Sequence, residues 1–415
     1  MLGTIPSEIV DLNLLGKVFS YLHSAVDKLN AQLVCAQFHQ QMHTPEAWSH
    51  VKKLIIEWKD HHWFGNALRE GDSGRSLTLA INTSTQQDIV IFPFISYCQK
   101  VTEISIWDRE TGLNSLVQFH LLLTTLTSCV AELEHLETLE ISSIDEEMAS
   151  AVSPLVVAAD NIAIRLKTQT ILNEWRQFTH RFTELEFHTT TDLEFIPLAQ
   201  SPPAHLRALK VSYVDVTQLT RFLNSLSNGT LNKIELNPQG EVTNLNCLMI
   251  AVEKSVFSEL TKLEINGDVD AGIIDFWSLR DVIRALGEYP KLNKVIIQPY
   301  GINSNPEPPD LIKFAIDLAS ICFLVHQLAL ARSGRFSFTY DVMGPDCTDR
   351  RVPMALRTVP QSHIDAALKA QFGDGVMCSS TGRVGEGNVI VGLHKIRISV
   401  CQAVEFEVTP VNDVS

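Results

Sequence analysis

Apolar and polar positions alternate in one recurring way along this chain. A six-residue phrase, apolar-x-x-apolar-x-apolar, appears as VKKLII (51–56), VTEISI (101–106), LETLEI (136–141), FTELEF (182–187) and LRALKV (206–211). It returns as LNKIEL (231–236), LTKLEI (260–265), LNKVII (292–297), VHQLAL (325–330) and LHKIRI (393–398). From 182 to 325 the starts lie 24 to 33 residues apart; earlier intervals are longer and less regular. The alternation of the fourth to sixth positions predicts a strand with one face inward. Between copies, apolar residues at helical spacing predict helices over 217–226, 278–287 and 311–324. Strand and helix alternating at this period give parallel strands joined by helical crossovers.

One such unit cannot bury its apolar face alone, so stacked units must supply the core. The pattern resembles the leucine-rich-repeat family in an irregular form, with Asn237 and Asn266 after their strands as in that family and Ser142, His188 and Ser212 departing from it. The resemblance implies an α/β solenoid over 51–400, a horseshoe with parallel strands inside and helices outside, and 401–415 as a C-terminal cap or tail. The alternative is a doubly wound α/β sheet, whose strands are apolar on both faces. Glu140, Glu186, Glu235 and Glu264 at the fifth position argue for one solvated face instead.

On that face the third, fifth and seventh positions point out together. Lys233, Lys262 and Lys294 hold the third, and Glu140, Glu186, Lys210, Glu235 and Glu264 the fifth. Trp107, His188, Asn237, Asn266 and Gln298 hold the seventh. Lys233 beside Glu235 and Lys262 beside Glu264 predict a cross-strand ladder of charge. The candidate face for a protein substrate is therefore Trp107, Glu140, Glu186, His188, Glu235 and Glu264, with Trp107 as its anchor.

Residues 1–50 follow another rhythm. Pro6 opens a helix, and Leu15, Val18, Phe19 and Leu22, then Leu29, Leu33, Val34 and Phe38, recur at helical spacing. Three short amphipathic helices bury little of their own surface and need a neighbour. Ile5-Pro6-Ser7-Glu8, Val18-Phe19-Ser20-Tyr21-Leu22, Leu33-Val34-Cys35, Phe38, Pro45 and Trp48 together resemble the F-box family. The interval between Ile5-Pro6 and Val18-Phe19 is longer than that family's.

An N-terminal F-box followed by leucine-rich repeats is similar to the substrate receptors of SCF-type ubiquitin ligases. The resemblance implies a non-catalytic subunit without cofactor or metal. Its Pro6, Phe19, Leu22, Leu33, Val34, Phe38 and Trp48 would bind a Skp-family adaptor, and through it a cullin scaffold carrying a RING protein. The repeats would hold a protein substrate. The alternative is a leucine-rich-repeat scaffold whose N-terminal helices only cap the array.

Composition narrows the partners. The chain has 415 residues, 45% hydrophobic and 20% charged, enough apolar material for a sizeable core. Lys and Arg number 33 against 48 Asp and Glu, a net charge of −15, which lacks the basic field that nucleic acid or an anionic membrane requires. The most apolar stretch, 311–330, carries Lys313, Asp317 and His326 and is too polar to span a bilayer. Eight scattered cysteines without a C-x-x-C, and a start with no signal-peptide pattern, point to reduced thiols in the cytoplasm or nucleus.

Three motifs tempt a catalytic reading. His39 and His43 stand one helical turn apart, but Gln40 replaces the Glu that a zinc protease needs. Gly71-Asp72-Ser73-Gly74 resembles the nucleophile tetrapeptide of chymotrypsin-like proteases, yet sits in a polar loop. The glycines from Gly373 to Gly387 lack the Gly-Lys-Ser/Thr of a phosphate-binding loop. No nucleophile, base and orienting acid assemble, which disfavours a hydrolase.

Overall fold

The computed structural model describes residues 40, 43–59, 67–70, 75–82, 96–108, 116–143, 146–168, 173–188, 195–212, 216–226, 229–237, 252–268, 283–284, 286–300, 311–332, 335–341, 360–380, 386–400 and 403–411. The chain divides into two units, Met1–Leu185 and Glu186–Ser415. Each is a mixed α/β structure around an open sheet.

In the first unit a short 3-10 turn, Pro45–Trp48, leads into β1 (Lys53–Lys59). There follow β2 (Ala67–Glu70), β3 (Ser76–Asn82), β4 (Glu103–Asp108), helix α1 (Leu116–Val130) and β5 (Thr138–Ser143). Helix α2 (Glu146–Ala158), β6 (Ala163–Thr168) and a 3-10 segment, Asn173–Arg181, lead to β7 (Phe182–His188), inside which the division falls. The strand order is β2-β3-β1-β4-β5-β6, with every neighbour parallel except β2 against β3. Strands β3 and β6 carry no copy of the phrase, although SLTLAIN and AIRLKT alternate as strands should.

The second unit contains α3 (Phe195–Gln200), β8 (Ala208–Ser212), α4 (Val216–Ser225), β9 (Lys233–Asn237), β10 (Lys262–Asp268) and β11 (Lys294–Tyr300). It continues through α5 (Leu311–Leu330), β12 (Phe336–Asp341), α6 (Gln361–Phe372), β13 (Met377–Ser380), β14 (Glu386–Val391), β15 (His394–Val400) and β16 (Ala403–Pro410). Strands β8 to β12 run parallel in chain order, and β16, β15, β14 and β13 then follow antiparallel.

The phrase explains the core. Its first positions (Val51, Val101, Leu136, Leu206, Leu231, Leu260, Leu292) are buried, as are its fourth (Leu54, Ile104, Leu139, Leu209, Ile234, Leu263, Val295) and sixth (Ile56, Ile106, Ile141, Val211, Leu236, Ile265, Ile297). Full burial of such a side chain contributes about 1.5–3 kcal/mol. The second position sets the register. The Lys52 carbonyl accepts from the Thr102 and Glu103 N–H groups at 2.8 and 3.2 Å. In the other unit the Asn232 carbonyl accepts from Thr261 and Lys262 at 2.8 and 3.1 Å, and the Thr261 carbonyl from Asn293 and Lys294. Thr102 and Thr261 add their hydroxyls to the preceding carbonyl.

Two copies of the phrase behave differently from the parallel-strand expectation. VHQLAL is the end of helix α5, not a strand. No turn residue separates it from the preceding helix, and Leu318, Cys322, Val325 and Ala329 continue one buried helical face. The strand of that repeat is β12, which starts six residues after Leu330. LHKIRI does form β15, but antiparallel to β14. A two-residue turn at Gly392-Leu393 joins Val391 to His394, Gly392 taking φ +58°, and so short a link can only reverse the chain. The parallel repeat therefore stops at β12, short of residue 400.

Two buried arginines were not foreseen. Arg181 donates to the carbonyls of Val156, Ala159 and Ile162 at the end of α2. Arg332 donates to Leu286, Tyr289 and Leu328. Each satisfies carbonyls that a helix end leaves open.

Candidate interaction face

The polar side of each sheet is built from the third, fifth and seventh positions. In the first unit the fifth-position row runs Ile55, Ser105, Glu140, Arg165 in register, and the third runs Lys53, Glu103, Thr138, Ala163. Lys53 Nζ lies 2.6 Å from Glu103 and 3.5 Å from Glu140. Arg165 reaches Glu103 at 3.6 Å and Glu184 at 3.1 Å. The buried Ser105 hydroxyl stands 2.7 Å from Glu140 and 3.3 Å from Glu103. Burial alone would raise the Glu103 carboxyl; the Lys53 hydrogen bond and charge, the charge of Arg165 and the Ser105 hydroxyl outweigh it and hold it below the ordinary range. Trp107 is half-buried, with Lys53 Nζ 5.9 Å from its ring.

In the second unit the fifth-position row runs Lys210, Glu235, Glu264, Ile296, Thr339. Lys210 pairs with Glu235 at 2.7 Å and Glu186 at 3.4 Å. Partial burial would lower the Lys210 ammonium, but the hydrogen bond and charge of Glu235 and those of Glu186 raise it. Lys233 joins Glu235 at 3.6 Å, and Lys262 joins Glu264 at 2.6 Å. The expected Lys233–Glu235 and Lys262–Glu264 pairs are present, but each lies within one strand, and the pairing across strands is made by Lys210 with Glu186 and Glu235.

Its environment differs from the one expected at one point. Glu235 is 9% exposed and bridges two lysines, so it is a buried bridging carboxylate, not a solvated one. Glu140, Glu186 and Glu264 are half-buried. His188, Asn237, Asn266 and Gln298 are placed by their backbone alone, at the seventh position of β7, β9, β10 and β11.

Of the seven candidate adaptor-binding residues, Pro6, Phe19, Leu22, Leu33, Val34 and Phe38 lie outside the described residues, as does the three-helix F-box they would form. Trp48 is described, and it is 1% exposed. Its ring is core in the first unit and does not offer itself to a partner, because Pro45–Trp48 turns the chain directly into the buried Val51 and Leu54.

The tempting motifs resolve into turns and packing where they are described. His43 meets Tyr97 edge-on at 5.6 Å. Gly373, at φ +85°, ends α6, and Glu386 and Gly387 begin β14. Gly71–Gly74 and His39 lie outside the described residues. Among the described residues no three His, Cys, Asp or Glu side chains stand close enough to hold a metal ion, and no helix is long and apolar enough to cross a membrane.

Reasoning from sequence missed Arg165, which ties two of the face's carboxylates together. The alternation of AIRLKT was the signal that would have found it. Compared with protein-family models and with curated proteins, the chain matches none.

Proposed function

We propose that the chain is the substrate-recognition subunit of an SCF-type ubiquitin ligase. Its N-terminal F-box would bind a Skp-family adaptor and its leucine-rich repeats a protein substrate. The observation that carries this reading is the repeated open strand face. Strand after strand presents polar side chains engaged in ion pairs, some within a strand and some with its neighbours, over a core set by one sequence phrase. A face of that kind supports a reading in which the chain binds the surface of another protein. The order of motifs supports the rest, since Leu33-Val34-Cys35, Phe38, Pro45 and Trp48 precede the repeats at F-box spacing. The ligase then acts by raising the effective concentration of substrate beside a bound ubiquitin-conjugating enzyme.

The test is co-expression with a Skp-family adaptor, followed by size-exclusion chromatography. A one-to-one complex is expected for the wild type and its loss for Leu33→Asp with Phe38→Asp, with the far-ultraviolet spectrum unchanged. A soluble, folded wild-type chain that forms no complex sinks the reading.

A second reading has its own observation. The burial of Trp48 in the first unit favours N-terminal helices that cap a leucine-rich-repeat scaffold. Under it the same double variant lowers the melting temperature and no adaptor complex exists to lose.

A further inference from the structure

The third-position row of the second unit places three lysines side by side. Lys233, Lys262 and Lys294 stand in register on β9, β10 and β11, one strand apart. Neighbouring strands lie about 4.8 Å apart, so the three ammonium groups share one narrow stripe. Like charges in register repel, and a sheet with no use for them loses stability by keeping them there.

The compensation is incomplete, and it is incomplete at one end. Lys262 has Glu264 at 2.6 Å, while Glu235 serves both Lys210 at 2.7 Å and Lys233 at 3.6 Å. From Glu186 to β11 the described side chains of this face hold four lysines, 210, 233, 262 and 294, against three glutamates, 186, 235 and 264. Lys294 is exposed and has no partner among the described residues. Beyond it the rows continue uncharged as Ser337 beside Lys294 and Thr339 beside Ile296, both half-buried hydroxyls. The next carboxylate of the third-position row is the exposed Glu407, a further strand away opposite Ser337. The first unit's face has the opposite balance, Lys53, Arg165 and Lys167 against Glu57, Glu103, Glu140 and Glu184.

We propose that Lys233, Lys262 and Lys294, with the hydroxyls of Ser337 and Thr339, dock an acidic segment of a partner polypeptide. The inference rests on reading the strand face as the substrate surface, and it names the class of substrate: one that presents clustered Asp and Glu carboxylates. The net charge of −15 acts the other way at long range. Salt screens that repulsion beyond about 8 Å, so contact-range charge decides the docking. The hydroxyls supply the donors that a carboxylate beside Lys294 needs.

The probe is a fluorescein-labelled ten-residue polyglutamate, with a Gly-Ser peptide of equal length as control. Anisotropy is read with the full chain at about 0.05 M and about 0.5 M salt. Wild type is expected to bind polyglutamate at low salt, and Lys262→Gln with Lys294→Gln to bind it about tenfold more weakly or less. Lys294→Gln alone changes an exposed, unpartnered side chain, leaves the fold unaltered and weakens binding in the same direction. Lys254→Gln with Lys291→Gln removes as much charge from exposed ion pairs with Glu288 and Glu259, outside the row, and is expected to bind like wild type.

No binding by wild type, or equal weakening by the two double variants, overturns the proposal. The adaptor complex is measured on the same preparations. Adaptor binding without polyglutamate binding removes only this inference, whereas row-dependent peptide binding without an adaptor complex removes the ligase assignment and leaves the docking row.

Discussion

His326 sits on α5 at 5% exposure, and neither of its ring nitrogens has a partner among the described residues. Phe372 of α6 meets its ring edge-on at 5.8 Å, and His394 of β15 does so at 5.5 Å. Burial first, and the neighbouring His394 second, push the imidazole below its ordinary range. Asp365 and Lys369 of α6 act on the Cys378 thiol and do not enter the balance at His326. A group held neutral by the fold contributes stability that is complete above its unfolded pKa, near 6.5, and lost as pH falls below it. A single site can contribute a slope of at most about 1.4 kcal/mol per pH unit. Urea melts of wild type and His326→Leu at pH 7 and pH 5 isolate it from the carboxylates, which both chains share. The variant is expected to lose less stability between the two pH values. Parallel loss in both chains would mean that His326 titrates normally in the fold. His326 was visible as a polar residue in the apolar stretch 311–330, but its unpaired burial was not, because a histidine in an apolar helix reads the same whether or not its nitrogens find partners.

At the scale of the strand, the third to sixth positions of one phrase set two very different sensitivities. On β10, Leu263 is fully buried while Glu264 faces Lys262 at 2.6 Å across a partly solvated surface. Leu263→Asp places an unpaired carboxylate in the core and is expected to cost about 4 kcal/mol or more. Glu264→Gln removes a partly exposed ion pair and is expected to cost about 1 kcal/mol or less. Glu235→Gln belongs between them, since it leaves Lys210 and Lys233 facing each other beside a buried amide. Thermal melts read by circular dichroism give the order directly, and a Glu264→Gln chain as damaged as Leu263→Asp would contradict the face assignment. The buried set was legible because apolar side chains at fixed intervals have one physical reading. Burial of Glu235 was not, because alternation gives the side of the sheet a residue takes and not how closely its neighbours close over it. Strand direction was equally hidden at β15, where the deciding residue is Gly392 in the preceding turn and not any residue of the phrase.

For the whole molecule the question is how a stack of parallel repeats ends. A last parallel strand leaves a row of unpaired N–H and C=O groups beside buried apolar side chains, which is a template for self-association. In the second unit β12 would be that strand, and β16 pairs along all of it, from Phe336 against Val408 to Asp341 against Ala403. Phe338 packs on Phe406 with ring centroids 6.3 Å apart, and both are buried. The change from parallel to antiparallel therefore works as a cap, as repeat arrays require. A chain ending at Phe372 keeps α6 and loses β13 to β16, exposing the β12 edge and the Phe338 ring. Light scattering after size exclusion is expected to show oligomers or aggregate in place of the wild-type species. Placing Thr339→Lys on the bared edge is expected to reduce that association, since a charged edge resists strand addition. A truncated chain with wild-type mass and melting temperature would show that the array closes without its antiparallel strands.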